Sequence, residues 1–279
     1  MSDDKSAGLT NLVNASGFLL QLAVEYKIRQ SSSRHNWEVL SSEHPWRDPQ
    51  TGQEGFIDLV VALGAYRLVI ECKRPQDSDW VFIVPADQKA SVARVRSRWV
   101  RGTTEDAIAG WDDFRWAPPS FESAFCVIRG TGESDRPMLE RLADVLLTSM
   151  DSLVDEELKL SKLLTSNLAI YVPMVVTTAR LSVIHVNPED VSLADGKISA
   201  VQCEQVPIVR FRKSLSTVLS DGFSPDDLKG ANEHKERTVL VVNAGSLVDV
   251  FSTLTPQEKG FWEEWPWAKR NAPWGVRGT

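Results

Sequence analysis

The chain has 279 residues, 42% of them apolar and 25% charged, and a net charge of −7. This is the make-up of an ordinary globular protein that can bury one large core or two modest ones. It excludes wholesale disorder, and it excludes a protein that coats nucleic acid through bulk positive charge. No apolar run is long enough to span a bilayer, and Ala169–Val176 is among the longest. The start, Met-Ser-Asp-Asp-Lys, has neither the basic opening nor the apolar centre of a signal peptide. Cys72, Cys126 and Cys203 are scattered, with no C-x-x-C pair. A reducing cytoplasm is therefore expected, with no disulfide framework, zinc knuckle or membrane partner.

In chain order, Asn11 to about Arg29 reads as a helix, with Phe18, Leu19, Leu22, Ala23 and Tyr26 recurring at three- and four-residue steps. Trp37–Leu40 is a short strand candidate. His44–Gly55, with two prolines and two glycines, reads as a loop. Phe56–Lys73 is an apolar hairpin, broken by Pro75–Asp79. Trp80–Val84 is apolar, Asp87–Val100 looks helical, Gly102–Pro119 irregular, and Ser123–Ile128 a buried strand. Pro137–Leu164 is a long amphipathic helix with Leu139, Leu142, Leu146, Met150, Leu153 and Val154 as its apolar stripe. It is long enough to pair with a partner helix or to pack on its own sheet. Ile170–Val186 reads as one or two strands, Val206–Arg212 as another, Leu219–Thr238 as a charged loop, and Thr238–Leu254 as strand then helix. With no internal repeat or low-complexity linker, one elaborated α/β domain over 10–255 is expected, followed by a Trp-rich tail over 256–279.

The hairpin carries the chemistry. Its sequence is F-I-D-L-V-V-A-L-G-A-Y-R-L-V-I-E-C-K. Asp58 interrupts the first apolar strand, and Glu71 and Lys73 end the second. Carboxylates are rarely buried without a partner or a metal. Gly64-Ala65 suits a two-residue turn with glycine first. Leu63 then faces Tyr66, and the same register sets Asp58 directly across from Glu71, Cβ atoms roughly 5 Å apart. Like charges in that position repel unless a cation sits between them. Period-two alternation also puts Lys73 on the face of Glu71. A hard divalent cation, Mg²⁺ or Mn²⁺, fits between the two carboxylates, with the Cys72 backbone carbonyl as a third ligand. Lys73 is then placed to position a water or to stabilise charge on a phosphate. These parts suit phosphodiester hydrolysis.

The letters E-x-K mean little by themselves. They also occur at Glu25-Tyr26-Lys27, Glu157-Leu158-Lys159 and Glu233-His234-Lys235, on expected helices or in the charged loop. Only Glu71-Cys72-Lys73 ends an apolar strand with an aspartate opposite. Asp58, twelve residues, Glu71-Cys72-Lys73, preceded by a helix with Glu25, resembles the PD-(D/E)XK nuclease superfamily, although Ile57 stands where the motif has proline. The resemblance covers about residues 12–128. It implies an α/β restriction-endonuclease-like core, a central mixed sheet flanked by helices, elaborated C-terminally. It also implies Asp58 and Glu71 as metal ligands, Lys73 as the catalytic lysine, Glu25 as an accessory acid on the first helix, and Gln88 as a glutamine near the site. The expected activity is Mg²⁺- or Mn²⁺-dependent cleavage, most readily of DNA, in bacterial defence, restriction or repair, with a homodimer in view. A nuclease-derived binding module with little activity is the alternative.

Each residue also has a structural alternative. Asp58, Glu71 and Lys73 can form an ion-pair cluster at a strand end, and Glu25 and Gln88 can face solvent. From Phe56 to Arg101 there are eight basic residues against five acidic. Lys89, Arg94 and Arg98, with Arg210 and Arg212 on a later strand, line a nucleic-acid groove or simply face water. Trp262, Trp265, Trp267 and Trp274 stack on bases, or dock on this chain or a partner protein; Glu263 and Glu264 among them disfavour phosphate. The four histidines have no ligand spacing, and there is no P-loop or G-x-G-x-x-G.

Overall fold

The computed structural model describes residues 2–75, 78–102, 107–128, 138–161, 168–215 and 228–257; the tail tryptophans lie outside them. Helices α1 (Ser2–Ala15), α2 (Phe18–Gln30) and α3 (Ser32–His35) open the chain. Strands β1 (Glu38–Arg47), β2 (Glu54–Leu63) and β3 (Tyr66–Lys73) follow, then β4 (Asp79–Pro85), β5 (Ser91–Gly102), β6 (Ala107–Ser123) and β7 (Phe125–Ile128). Next come α4 (Met138–Ser161), β8 (Leu168–Thr177), β9 (Arg180–Val186), β10 (Gln202–Gln205) and β11 (Ile208–Ser214). Helix α5 (Leu228–Lys235), β12 (Glu236–Asn243), α6 (Leu247–Thr253) and β13 (Thr255–Pro256) complete the described residues. No helix among them is long and apolar enough to cross a membrane.

The protein is α/β, with a large mixed sheet flanked by helices. The nine-stranded sheet runs β1-β2-β3-β8-β12-β11-β6-β13, with β5 paired to both β6 and β8. Strands β1, β2 and β3 form an antiparallel meander, and β8 adds parallel to β3. Because β5 joins β6 to β8, the strands β8, β12, β11, β6 and β5 close into a ring of backbone hydrogen bonds. A second, four-stranded sheet has the order β10-β9-β4-β7. One face of the large sheet packs on α4 and the second sheet, through Leu139, Met150, Val154, Val69, Trp80 and Phe82. The other packs on α2 and α6, through Val24, Ile28, Ile70, Met174 and Phe251. The expected stripe of α4 lies on its own chain's sheet: Leu139, Leu146, Met150, Leu153 and Val154 are buried, and Leu142 packs beside them.

Several expectations are corrected. The helix expected over Asp87–Val100 is β5, in which Arg94, Arg96 and Arg98 alternate with Val95, Ser97 and Trp99 at the period of a strand. Most of the irregular stretch expected after it is β6, its long antiparallel partner. The expected loop at His44–Gly55 begins inside β1, which continues to Arg47. The expected charged loop over Leu219–Thr238 contains α5. The first helix is broken at Ser16 and Gly17, and the face expected to be buried is turned outward: Leu20, Gln21, Val24 and Ile28 are buried, while Phe18, Leu22 and Tyr26 are exposed. Both sets recur at helical spacing, because α2 is apolar almost all round, so periodicity does not choose between them.

Candidate active site

The register of the β2–β3 hairpin is the expected one. Leu63 pairs with Tyr66, Val61 with Leu68 and Leu59 with Ile70. Gly64 takes the left-handed φ of 57° that a tight turn needs at its first position. The ladder stops at Leu59–Ile70, one pair short of Asp58 and Glu71, while on its other edge β3 pairs with β8 along its whole length, with Glu71 beside Val175 and Lys73 beside Thr177. Asp58 closes the gap with its side chain: Oδ2 accepts the Cys72 backbone N–H at 2.6 Å. This bond fixes the carboxylate against the strand that carries Glu71.

Both carboxyls are partly buried and their charges interact. Burial pushes Glu71 up from 4.5 to about 7, helped by Asp58 and Glu43 and opposed by Lys73. Burial also raises Asp58; the Cys72 N–H and Lys73 pull it down, and Glu43 pushes it up. Lys73 is thus felt by both acids, yet it makes no ion pair within 4 Å of either among the described residues. A structural ion-pair cluster at the strand end would lock that ammonium onto a carboxylate. Cys72 points to the other face, where its thiol is buried among apolar side chains and held well above its ordinary pKa by desolvation.

The residue that sequence reasoning missed is Glu43. Ser42 pairs with Leu59 and His44 with Ile57, so Glu43 stands opposite Asp58 on the other side of β2. Its backbone has a φ of 53°, which is uncommon and strained for a glutamate. Gln21, buried on α2, ties the corner together. Its Nε2 donates to Glu43 Oε1 at 2.5 Å and to the Asp58 backbone oxygen at 3.2 Å. Glu25, the expected accessory acid, lies one turn further along and is engaged by Arg29 at 2.8 Å. The contact from α2 to this corner is therefore made by an amide. Gln88 lies in the turn after β4, not at a helix start, and its Oε1 is buried without a hydrogen-bond partner.

The expected basic groove is not assembled. Arg210 is buried, donates to the Ser91 carbonyl at 2.9 Å and faces Glu122 at 3.7 Å. Arg212 pairs with Glu236 at 2.7 Å and Asp113 at 3.0 Å. Arg98 pairs with Asp151 at 3.4 Å and stacks near Trp111. Their partners come from β6, β12 and α4, distant in sequence. Lys89 and Arg94 are exposed.

Among the described residues no group of three or more His, Cys, Asp or Glu side chains is drawn into a ready metal cage. Two carboxylates are enough for Mg²⁺, which is usually held by one or two together with waters and a substrate phosphate. Glu71 makes no side-chain hydrogen bond among the described residues, and only one oxygen of Asp58 is engaged. The donor set therefore fits a hard divalent cation. Comparison of the sequence with known protein families and with curated proteins, and of the fold with solved structures, gave no significant match.

Proposed function

We propose that the chain is a divalent-metal-dependent phosphodiester hydrolase of the PD-(D/E)XK type, acting on DNA. The observation that carries this is the pair Asp58 and Glu71 at the open end of β2–β3, mutually repelling, beside a lysine that neither carboxylate ties down. The chain order of the elements supports a restriction-endonuclease-like core. A helix (α2), three antiparallel strands (β1–β3), a second helix (α4) and a strand parallel to the third (β8) follow in the order that the resemblance implies. In that arrangement the core runs over about 18–177, with β4–β7 inserted between third strand and second helix, rather than over 12–128. A role in defence, restriction or repair rests on the resemblance alone.

Asp58 and Glu71 would hold Mg²⁺ or Mn²⁺, with the Cys72 carbonyl as a third oxygen. When bound, such an ion polarises a phosphoryl oxygen and lowers the pKa of its water. Asp58 is oriented for this by the Cys72 N–H. Lys73 orients the attacking water or offsets charge that builds on the phosphate. Gln21 holds the Asp58 main chain and the Glu43 carboxylate in register, so that the acidic corner keeps its shape.

The test is cleavage of supercoiled plasmid, linear duplex, single-stranded DNA and RNA with Mg²⁺, Mn²⁺ or EDTA, alongside Glu71→Ala and Lys73→Ala. Metal-dependent cutting lost in both variants is expected. Cutting that survives EDTA or Glu71→Ala refutes the proposal. So does a wild-type chain that neither cuts any substrate nor binds Mn²⁺ by calorimetry.

A further inference from the structure

The large sheet forks along one edge of β8. Residues 168–171 of that strand pair with β5, and 174–177 pair with β12. The middle of β5 and the start of β12 flank the fork, tied where the Arg96 backbone N–H donates to Thr238 Oγ1 at 3.0 Å. Arg96 and Arg98 on β5, Trp111 on β6 and Arg237 on β12 meet there, beside Asp151 of α4.

Three guanidinium groups crowd this place with too little counter-charge. Arg237 is half-buried and forms no ion pair among the described residues. One of its nitrogens donates to the His234 and Glu236 carbonyls at 2.9 and 2.8 Å, and its Cζ lies 4.0 Å from the centre of the Trp111 ring. Arg98 meets Asp151 only at 3.4 Å, and the two atoms of that contact, Nε and Oδ1, are buried without a hydrogen bond. Arg96 shares Asp113 with Arg212, which binds it more closely, at 3.0 Å against 3.4 Å; the Arg96 Nε is also buried without a partner. Buried donors left unmatched are costly, so a cluster of them points to a missing acceptor. The charges agree. Burial pushes Arg237 down from 12.5 to about 10, opposed by Asp151 and helped by Arg96 and Arg98. Burial lowers His234 on α5 as well, and Arg96 and Arg237 lower it further. Burial also raises Asp151 against the pull of Arg98 and Arg237, which makes it a poor counter-ion.

We infer that this fork is a phosphate-binding subsite, which holds a backbone phosphate of the nucleic acid away from the cut. The planar N–H edge of arginine matches phosphate oxygens two at a time. Arg96 and Arg98 keep 15% and 21% of their side chains exposed, so their outer nitrogens can be reached from solvent. Arg210 and Arg212 stay outside the subsite, since each faces a carboxylate of its own. Glu71 lies beside Val175 and Arg98 beside Tyr171, both on the α4 side of the large sheet. At ~3.3 Å per residue the two sites stand on the order of 13 Å apart along β8. The phosphate held here is therefore not the scissile one. The assignment to nucleic acid rests on the hydrolase reading; the affinity for phosphate does not.

The test uses the full chain in EDTA, by two measurements. In the first, thermal melts are compared in low-millimolar sodium phosphate and in sodium chloride of equal ionic strength. Phosphate should raise the wild-type melting temperature by mass action. Arg98→Gln with Arg237→Gln should abolish that gain. Asp151→Asn should enlarge it, because the carboxylate no longer competes; an Asp151 that only clamps α4 would give a lower melt and no greater response to phosphate. In the second, anisotropy of a fluorescein-labelled duplex is followed across a salt series. The double variant should bind about tenfold more weakly at low salt, with a salt slope shallower by about 1, the loss of one phosphate contact. A wild-type melt that phosphate leaves unmoved, or moves equally in all three proteins, overturns the subsite. Duplex affinity and slope unchanged in the double variant, or no duplex binding by wild type, overturn the backbone assignment; with phosphate protection retained, the occupant is then a free phosphate-bearing ligand. Cleavage enters neither measurement, so a failed subsite leaves the hydrolase proposal standing, and failed cleavage leaves the subsite.

Discussion

Glu71→Gln should stabilise the metal-free protein at pH 8, although it removes a charged residue next to a lysine. In the folded chain the Glu71 carboxyl keeps its proton up to about pH 7, against 4.5 ordinarily. The folded state therefore binds more protons than the unfolded state between those values. By linkage, stability is full below about pH 4.5 and falls as pH rises to about 7. A shift from 4.5 to about 7 corresponds to ~3 kcal/mol at about 1.4 kcal/mol per pH unit. Glutamine removes the ionisation but keeps part of the desolvation and leaves Lys73 without its neighbour, so a net gain of ~2 kcal/mol at pH 8 is expected, and little change at pH 4.5. The assay is urea or thermal unfolding of wild type and variant across this range in EDTA. The same experiment with excess Mg²⁺ or Mn²⁺ should stabilise wild type by mass action and leave the variant unmoved. A variant less stable than wild type by several kcal/mol at pH 8 refutes the reasoning. It would make Glu71 the structural partner of Lys73, since breaking a buried pair costs ~3–5 kcal/mol.

Lys73→Met should reduce cleavage at least ~100-fold while Mn²⁺ affinity and melting temperature stay near wild type, because neither carboxylate depends on its ammonium for an ion pair; lost metal affinity would count against its assigned role. Glu43→Gly should raise stability by about 1 kcal/mol by relieving the left-handed backbone, yet lower cleavage, since the Gln21 amide keeps only the Asp58 backbone oxygen as acceptor; unchanged kcat/KM would remove Glu43 from the site. Arg212→Ala should cost ~2 kcal/mol of stability by stranding Glu236 and leaving Asp113 to Arg96, and should leave the salt dependence of DNA binding as it is. A shallower salt slope would return this arginine to the phosphate groove.

The amino-acid order by itself determined the hairpin and its register. Gly64 can adopt the turn conformation that other residues resist, and the alternation of Val, Leu and Ile fixes which side chains share a face. Those two local facts bring Asp58, Glu71 and Lys73 together without any long-range contact. The amphipathic stripe of α4 was legible for the same reason, since its polar and apolar residues separate cleanly around one helix. Only the tertiary structure decided the rest. On α2, apolar residues surround the axis, and contact with the sheet selected Leu20, Val24 and Ile28 over the stripe that spacing suggested. Glu43 entered the site because β1 runs on past His44 and shifts register between Val39 and Ser41, and no local pattern announces that shift. Arg98, Arg210 and Arg212 left the expected groove because Asp151, Glu122, Asp113 and Glu236 arrive beside them from remote segments. A local pattern fixes direction and spacing within one element. Which charges neutralise one another is settled by elements meeting across the fold, where low dielectric makes each pairing count.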